Sequence, residues 1–409
     1  MSPSLVDDNA PAVPQETAQS FRERARGWFE SDYPRFLRES EDLAPGSLAW
    51  RRRWEDHVCA SGWSGLGWPR EWGGQALPLS HQAIFLQEQA RVGAPLGVNL
   101  IGHGILAPTL LHFGSAAQKR RFLPRILTNA EIWCQGYSES GAGSDLASLA
   151  CQARREGDDF VLTGHKIWTS FAQLAHWCFV LARTDTHAAR HRGLSMLLVD
   201  MQSPGVRVEP IRQINGESEF NQVVFDHVRV PQDRLLGAEN GGWQVAMAAA
   251  AFERGTYFIA RQVRFAQELD SLEGLLAQTE CAPAQRAAWR GVLDDLHIDS
   301  HVLRLKTARA LSQAERGEAP GPQGSSTKIH WSEAHQRLLS LAMDMLGERV
   351  VCHGAAEGAQ APGTAARPKD DVQAWVKAYL SSRAETILAG TSEIQRNIIG
   401  EQILRMPKG

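Results

Sequence analysis

Apolar and polar residues follow three different patterns along this chain. In the first block, about residues 16–130, apolar positions recur at helical spacing, as in QSFRERARGWFESDYPRFLRES. We expect Ser80 to be the N-cap of the helix in LSHQAIFLQEQARV, and two short helices joined at Pro124 in SAAQKRRFLPRILTNAE. The pattern predicts a helical N-terminal domain at residues 19–131, after a disordered lead at residues 1–18.

Short β-rich runs make up the second block, among them DFVLTGHKIWTS, LSMLLVDM and NQVVFDHVRVP. Their hairpin-like spacing predicts a small antiparallel sandwich or barrel at residues 132–237. Four long helical patterns follow and predict a four-helix bundle at residues 238–409. The order of helices, a β domain and helices argues against a Rossmann or barrel enzyme, since both need alternating β and α elements.

Composition excludes several classes of protein. A chain of 409 residues has room for two or three domains, and a formal net charge of −3 creates no strong field for nucleic acid or anionic membrane. The run LGVNLIGHGILAPTLLHF is too interrupted by polar residues and proline to span a bilayer. The N-terminus lacks a signal-peptide pattern, and the six cysteines form no C-x-x-C pair. We therefore expect a cytoplasmic protein without nucleic-acid binding or membrane insertion.

The stretch WCQGYSESGAGSDLAS, residues 133–148, opens the β block. It does not fit the G-x-S-x-G pattern of hydrolases, the P-loop or the G-x-G-x-x-G pattern. What it offers is a loop with the hydroxyls of Ser138, Ser140 and Ser144, and backbone N–H groups exposed by Gly141 and Gly143. Such a loop allows close approach of a planar or phosphorylated ligand, although an ordinary surface turn has the same composition.

Trp168 precedes Thr169 and Ser170 at the end of a predicted strand. Flavin sites use this combination, with an apolar face against the ring and donors to its carbonyl oxygens. A tryptophan packed in the core at a strand end is the alternative interpretation.

Taken in order, the short motifs of this chain resemble those of the acyl-CoA dehydrogenase family. The motifs are YSESGAGSD, GHKIWTS, ARTD, FDHVRVP, LLGAENGGW and GTSEIQRNIIGEQIL, and GWPREWGG and FGSAAQKRRFLPRIL are similar to that family's N-terminal helical domain. The resemblance runs from about residue 20 to the end of the chain. It implies a mostly α fold with a central β domain: an N-terminal helical domain, a middle antiparallel β-sandwich or barrel, and a C-terminal four-helix bundle.

The resemblance also implies FAD, bound between the β domain and the bundle. The positions that carry over as cofactor contacts are Tyr137, Ser138, Gly143, Ser144, Trp168, Ser170, Thr391 and Glu393. One departure is Ser140, where the family usually has proline. A second is the region ARQVRFAQELD, which lacks the family's Arg-Lys-x-Phe-Gly run, and a third is MDMLGERV, where Asp344 and Glu348 replace a neutral amide and a glycine. No cross-subunit contact to the adenine is therefore carried over.

The catalytic base is the largest departure. Many members of the family have a Glu immediately before Gly-Thr in the C-terminal motif, and this chain has Ala389 there. A minority place the Glu on the first bundle helix beside an Arg, which corresponds to Glu253 and Arg254 in AAAAFERGTY. An acid among small apolar residues has a raised pKa, as a base needs. The alternative is that Glu253 only pairs with an Arg or contacts the CoA portion.

The predicted substrate contacts are Ser144, Arg254, Ala389 and Gly390, and Ala389 still supplies a backbone N–H to polarise the thioester carbonyl.

The first functional hypothesis is an FAD-dependent acyl-CoA dehydrogenase that forms a 2-enoyl-CoA and passes electrons to an electron-transferring flavoprotein, as a homotetramer or a heterotetramer with a sister subunit. The alternatives are a non-catalytic partner subunit, a flavin monooxygenase or oxidase on the same fold, and a scaffold without FAD. The acyl group is open among short, branched, cyclic and sterol classes.

Overall fold

The computed structural model describes residues 16–316, 318, 321–352 and 371–407, and the side chains of residues 253–258, 314 and 352 are not among the described parts. The predicted disordered lead, residues 1–18, lies mostly outside the described residues. The first described helix begins at Ala18, because the side chain of Thr17 accepts a hydrogen bond from the N–H of Ser20.

Five α-helices form the N-terminal domain. They are α1 (Ala18–Glu39), α2 (Leu48–Ala60), α3 (Leu79–Val92), α4 (Ala107–Phe113) and α5 (Ala116–Leu127). The apolar positions Phe21, Ala25 and Phe29 of α1 are fully buried, and they pack with Trp54 of α2 and Phe85 of α3 in one core.

Two sequence predictions for these helices are wrong. Helix α3 begins at Leu79 after Pro78, so Ser80 lies inside the first turn and does not cap it. Helix α5 is one helix that contains Pro124, because the proline stands in its last turns and interrupts little of the hydrogen-bond ladder. A capping box between Ser115 and Gln118 fixes the start of α5.

A short π-helix, Gly102–Leu106, leads directly into α4. The loop before it is held by two buried side chains: Glu55 of α2 accepts hydrogen bonds from the N–H groups of Val98 and Asn99, both at 2.9 Å, and Asn99 accepts one from the N–H of Trp133 at 3.0 Å. The π-helix is therefore anchored both to the N-terminal domain and to the first strand.

Eight strands form one mostly antiparallel sheet in the middle of the chain. They are β1 (Trp133–Gly136), β2 (Gln152–Glu156), β3 (Asp159–Ser170), β4 (Trp177–Arg183), β5 (Leu194–Asp200), β6 (Val206–Ile211), β7 (Phe220–Pro231) and β8 (Leu235–Leu236). Their order is β6-β7-β3-β2-β4-β5-β8, and β1 pairs with β4 in parallel. Strand β2 also pairs with β4 in parallel, where Gln152 lies opposite Arg183.

Strand β4 is buried on both faces. Phe179 and Leu181 pack with the N-terminal helices, whereas Cys178, Val180 and Ala182 pack with residues of β3 and β7 inside the curled sheet. The second core therefore lies within the β domain itself, and the first core joins that domain to the helices around it.

The third domain contains α6 (Gly242–Gln278), α7 (Pro283–Glu315), α8 (Gln323–Leu346), α9 (Arg349–Cys352), α10 (Val372–Ser382) and α11 (Ser392–Ile398), followed by a π-helix at Ile399–Ile403. The buried residues Leu272, Leu296, Leu338 and Trp375 show that α6, α7, α8 and α10 share one core. The predicted architecture of a helical domain, a central β domain and a helical bundle is confirmed. None of the described helices is long and apolar enough to cross a lipid bilayer.

Candidate functional site

The loop after β1 is shaped by Glu139. The N–H groups of Glu139 and Ala142 each donate to the other residue's carbonyl oxygen at 3.0 Å, which closes a tight turn around Ser140 and Gly141. The Glu139 carboxylate accepts hydrogen bonds from the N–H groups of Ala150 at 2.7 Å and Cys151 at 2.9 Å. Tyr137 is buried, and Ser138 is half-buried with its carbonyl oxygen bonded to the N–H of Ile167 on β3.

Lys166 of β3 lies beneath this loop and is completely buried. Its Nζ donates to the carbonyl oxygen of Tyr137 at 3.1 Å and to Glu139 Oε1 at 2.7 Å. Burial alone would raise the pKa of Glu139, but Lys166 and the two backbone donors outweigh it and lower that pKa. The sequence analysis missed Lys166 and Glu139, because neither residue stands out in the sequence as a buried charge.

Trp168 occupies a bulge near the end of β3, where the register with β7 shifts between Lys166 and Thr169. Its φ of 60° is a conformation that a bulky side chain rarely adopts, and 55% of its surface is exposed. The ring packs edge-on against Phe220 at a centroid distance of 6.1 Å, and because more than half of the residue is exposed, the interpretation of a core-packed tryptophan is wrong. Ser170 is half-buried and pairs with Phe220 in the β3–β7 ladder.

The C-terminal turn joins α10 to α11 through two successive residues with positive φ, Ala389 at 53° and Gly390 at 86°. Nε2 of Gln395 donates to the carbonyl oxygens of Ala389 at 3.0 Å and Gly390 at 3.3 Å. Thr391 caps α11 by accepting from the N–H of Ile394, so the capping-box spacing of Ser392 and Gln395 in the sequence is not used.

Glu393 is exposed in the first turn of α11, and hydrogen bonds from its own N–H and from Thr391 lower its pKa. Among the described residues, the N–H of Ala389 donates no hydrogen bond. That N–H is therefore available to a ligand, as a backbone oxyanion donor must be.

The loop between β6 and β7 connects the β domain to both helical domains. Asn215 donates to Ser381 Oγ of α10 at 2.9 Å, and Glu217 forms an ion pair with Lys377 of α10. Glu219 forms an ion pair with Arg51 of α2. This loop therefore connects the ends of β3 and β7 that carry Trp168 and Phe220 to α10, the helix that precedes the C-terminal turn.

Gly143 and Ser144 lie on the exposed side of the loop after β1. The neighbouring Asp145 forms an ion pair with Arg190, in the basic 3-10 turn Arg190–Gly193. His191 of that turn packs against Trp243 of α6 with ring centroids 5.8 Å apart. The structure therefore places Ser144 beside an aromatic and basic surface.

Glu253 and Arg254 belong to α6, but their side chains lie outside the described residues. Glu253 follows Ala249 by about one helical turn, and Val245, Ala246 and Ala249 pack with Leu106 of the π-helix in one core. The structure brings the sequence-predicted residues into two groups, one on the β domain and one on the C-terminal turn. It leaves the proposed base untested.

Further along α6, a polar network links α6 and α8 to the turn segment that follows α10. His335 of α8 binds Glu385 through Nδ1 at 2.7 Å and Glu268 of α6 through Nε2 at 2.8 Å. Burial would lower the pKa of His335, but the two carboxylates outweigh it and raise that pKa to about 10. His335 is therefore charged at neutral pH and holds the segment before the C-terminal turn, another contribution that the sequence analysis missed.

Several features of these two groups fit a planar, hydrogen-bonding ligand of the flavin type. Trp168 exposes an aromatic ring at a strained position next to a buried hydroxyl, Thr169 Oγ1, which has no hydrogen-bond partner within the described part of the chain. The same holds for Ser392 Oγ beside the C-terminal turn and for Nζ of Lys328, which is 1% exposed. No group of residues able to hold a metal ion is found among the described residues.

Comparison with known proteins gives matches along nearly the whole chain. Three family models match in order: the acyl-CoA dehydrogenase N-terminal domain at residues 15–130, the middle domain at residues 134–228 and the C-terminal domain at residues 240–404. The acyl-CoA dehydrogenase IpdE1 of Mycobacterium tuberculosis is 42% identical over 406 residues, which covers 96% of this chain and 99% of the relative.

Two solved structures show the same similarity. The ChsE4–ChsE5 complex from Mycobacterium tuberculosis is 29% identical with a TM-score of 0.79, over 98% of this chain and 100% of that chain. The Tcur3481–Tcur3483 steroid ACAD is 26% identical with a TM-score of 0.77, over 96% of this chain and 98% of that chain.

Proposed function

Because the chain belongs to the acyl-CoA dehydrogenase family, and is therefore an FAD-dependent oxidoreductase acting on the CH–CH bond of an acyl-CoA, we propose that Glu253 is its catalytic base. The observation that carries the proposal is the C-terminal turn, where the N–H of Ala389 has no acceptor among the described residues but alanine stands at the position of the usual acid. The acid on α6 follows the segment that packs against the π-helix.

In the proposed reaction, Glu253 acts as the base and Ala389 as the hydrogen-bond donor to the thioester. The Glu253 carboxylate takes the α-proton of the thioester, while the N–H of Ala389 donates a hydrogen bond to the thioester carbonyl oxygen and stabilises the developing negative charge. The bound flavin supplies the acceptor for the β-hydrogen, which leaves as hydride. The C–H electrons released at the α-carbon form the new double bond, and the product is a 2-enoyl-CoA.

Small residues around Glu253 support its role as a base. Ala246 and Ala249 are fully buried on the same helix, and in the sequence AAAAFERG the acid follows four alanines and a phenylalanine. A carboxylate that is poorly solvated is a stronger proton acceptor, as a base that acts on a weakly acidic carbon must be.

We assign the flavin contacts to the two groups of residues described above. On the β domain these are Tyr137, Ser138, Gly143, Ser144, Trp168 and Ser170, and on the C-terminal turn they are Thr391 and Glu393. Support comes from the exposed ring of Trp168 and from the link that the β6–β7 loop makes to α10. Ser144, Arg254, Ala389 and Gly390 are assigned to the acyl-CoA, and the basic turn with Arg190 beside Ser144 suits its phosphates.

We further propose that the enzyme works as a tetramer with a sister subunit and passes its electrons to an electron-transferring flavoprotein. The two structural relatives are two-protein complexes, which supports a heteromeric assembly. One of them is named a steroid ACAD, so ring-bearing acyl groups belong in any substrate panel. The cytoplasmic location stays a prediction from the sequence.

The test uses purified holoenzyme and a panel of acyl-CoA thioesters. We expect substrate to bleach the visible absorbance of the flavin in the wild type, and Glu253→Gln to abolish bleaching while FAD stays bound. In the Glu253→Gln background, Ala389→Glu restores the acid to the C-terminal turn and should return part of the bleaching. Undiminished bleaching by Glu253→Gln would refute the assignment of the base. A wild type that no acyl-CoA bleaches, alone or with its sister subunit, would instead indicate the non-catalytic partner.

A further inference from the structure

His335 of α8 lies between two carboxylates that come from different parts of the chain. Its Nε2 is 2.8 Å from Glu268 of α6, and its Nδ1 is 2.7 Å from Glu385 in the segment that follows α10. An ionised carboxylate only accepts hydrogen bonds, so both ring nitrogens donate and the imidazole carries a positive charge. Because the side chain of His335 is buried, it joins α6 to this segment by a buried, charged link.

Other cations face the same two carboxylates from farther away. Arg261 Nη1 lies 3.5 Å from one of them, and Arg264 Nε lies 4.0 Å from the other. The buried ammonium of Lys328 is close enough to the carboxylate after α10 to be attracted by it. His335 is the group that forms short hydrogen bonds to both carboxylates. Without its charge, the distance between α6 and the segment after α10 would depend on these longer contacts.

Glu385 lies four residues before Ala389, whose N–H is the proposed donor to the thioester. The residues between them are compact, since the N–H of Leu388 donates to the carbonyl oxygen of Ala384 at 2.9 Å. On the other side, Gln395 holds the carbonyl oxygen of Ala389 at 3.0 Å. The backbone of the C-terminal turn is therefore anchored at both ends, and a displacement of Glu385 would move the N–H of Ala389.

A contact needed only for stability at this point would not require charges. Leu338 of α8 and Trp375 of α10 already pack in one apolar core. Replacing a buried ion pair by apolar side chains is often neutral or stabilising. Hydrogen bonds, by contrast, require a defined distance and direction. The charged link through His335 therefore indicates that the position of the segment after α10 matters.

We propose that His335 is a positioning residue, which holds the C-terminal turn through Glu385 so that the N–H of Ala389 is directed at the thioester carbonyl oxygen. The proposal rests on the acyl-CoA dehydrogenase function given above. A displaced N–H would polarise the carbonyl less. The transition state would lose more than the bound thioester, because its carbonyl oxygen carries more negative charge. Loss of His335 should therefore lower kcat more than it raises KM.

The experiment compares the holoenzymes of wild type, His335→Gln and the control His330→Gln. His330 lies on the same helix and also binds a carboxylate, that of Asp299 at 2.7 Å, but this carboxylate belongs to α7. Each holoenzyme binds a 2-enoyl-CoA labelled with ¹³C at the thioester carbonyl. Its acyl chain is that of the panel member with the highest affinity for wild type. Infrared difference spectroscopy then measures the carbonyl stretching band, whose frequency falls when the oxygen accepts a hydrogen bond.

We expect binding to lower the frequency of this band in wild type and in His330→Gln. In His335→Gln, about half of that shift or more should be lost, and kcat should fall about tenfold with a smaller change in KM. A full shift in His335→Gln would overturn the proposal, as would an equal loss in His330→Gln.

Two further outcomes separate this proposal from the proposed function. If His335→Gln yields no holoenzyme, Glu385→Gln gives the same test, because it removes the charge at nearly constant size, and an unchanged band in that variant would overturn the proposal. A wild type without any shift would refute the donor role of Ala389 and this proposal together. The band depends on binding and not on turnover. A wild type that shows the shift but is bleached by no acyl-CoA would refute the dehydrogenase function, and the bands of the variants would still decide the role of His335.

Discussion

Nζ of Lys166 lies 2.7 Å from Oε1 of Glu139, and both side chains are almost completely buried. This ion pair connects β3 to the loop that carries Tyr137 and Ser138, and Glu139 in turn bonds the backbone of Ala150 and Cys151. The shape of the predicted flavin loop thus depends on a charge pair in the core of the β domain.

Removing the lysine should damage both stability and cofactor binding. We expect Lys166→Met to destabilise the protein by about 3 kcal/mol, because the Glu139 carboxylate is left buried and unpaired. The loop should lose its shape and FAD should bind more weakly. Urea unfolding and fluorescence titration with FAD measure the two effects. The control is Arg154→Met, since Arg154 and Glu156 form an exposed pair whose loss should have little effect.

For Trp168 we expect a substitution to weaken FAD binding without lowering the stability of the apoprotein. Because more than half of its surface is exposed, Trp168→Ala should leave the melting temperature of the apoprotein nearly unchanged. The affinity for FAD should fall about tenfold, as expected for the loss of an aromatic contact with the flavin ring. A large drop in apoprotein stability with unchanged FAD affinity would show that the ring is a structural residue instead.

The two residues with positive φ in the C-terminal turn should respond differently to substitution. Gly390→Ala should destabilise by about 1–2 kcal/mol, because φ is 86° and the new Cβ would lie 2.5 Å from Nε2 of Gln395. Ala389→Gly should raise the melting temperature slightly, since it relieves the positive φ of an alanine. Calorimetric melting of the two variants side by side makes the comparison, and equal effects would contradict it.

His335 predicts a pH dependence of stability. Its pKa of about 10 in the folded protein is above the ordinary value of 6.5, so its charge stabilises the fold fully below pH 6.5. That contribution is lost as pH rises toward 10. We expect His335→Gln to destabilise by about 3 kcal/mol at pH 6 and by much less near pH 10.

Urea unfolding at both pH values tests this expectation. His301→Gln, on the exposed surface of α7, is the control and should show little effect at either pH. A penalty for His335→Gln that does not change with pH would indicate that packing of the imidazole, and not its charge, stabilises the bundle.

The order of the three domains could be predicted from the sequence because each domain has its own hydrophobic period over a long segment. The detailed geometry of the site could not. A lysine within GHKIWTS looks like a solvent-facing residue, and only the loop packed over β3 turns Lys166 into a buried partner of Glu139. The exposure of Trp168 depends on a register shift against β7, a strand more than fifty residues later in the chain.

Local competition explains the other differences. Thr391 and Ser392 are both good N-cap residues, and the choice falls on Thr391 because the N–H of Ser392 bonds to Thr386 and Gln395 holds the preceding carbonyl oxygens. From the sequence alone, α11 could begin after either Thr391 or Ser392. The assignment of the base to Glu253 on α6 comes from the sequence context, and it stays a prediction.

The β6–β7 loop has a consequence for how the protein can be engineered. Surface loops normally tolerate inserted tags, cleavage sites and linkers. This loop binds Arg51 in one helical domain and Lys377 and Ser381 in the other. An insertion between Asn215 and Glu219 would therefore disturb the contacts of three domains at once.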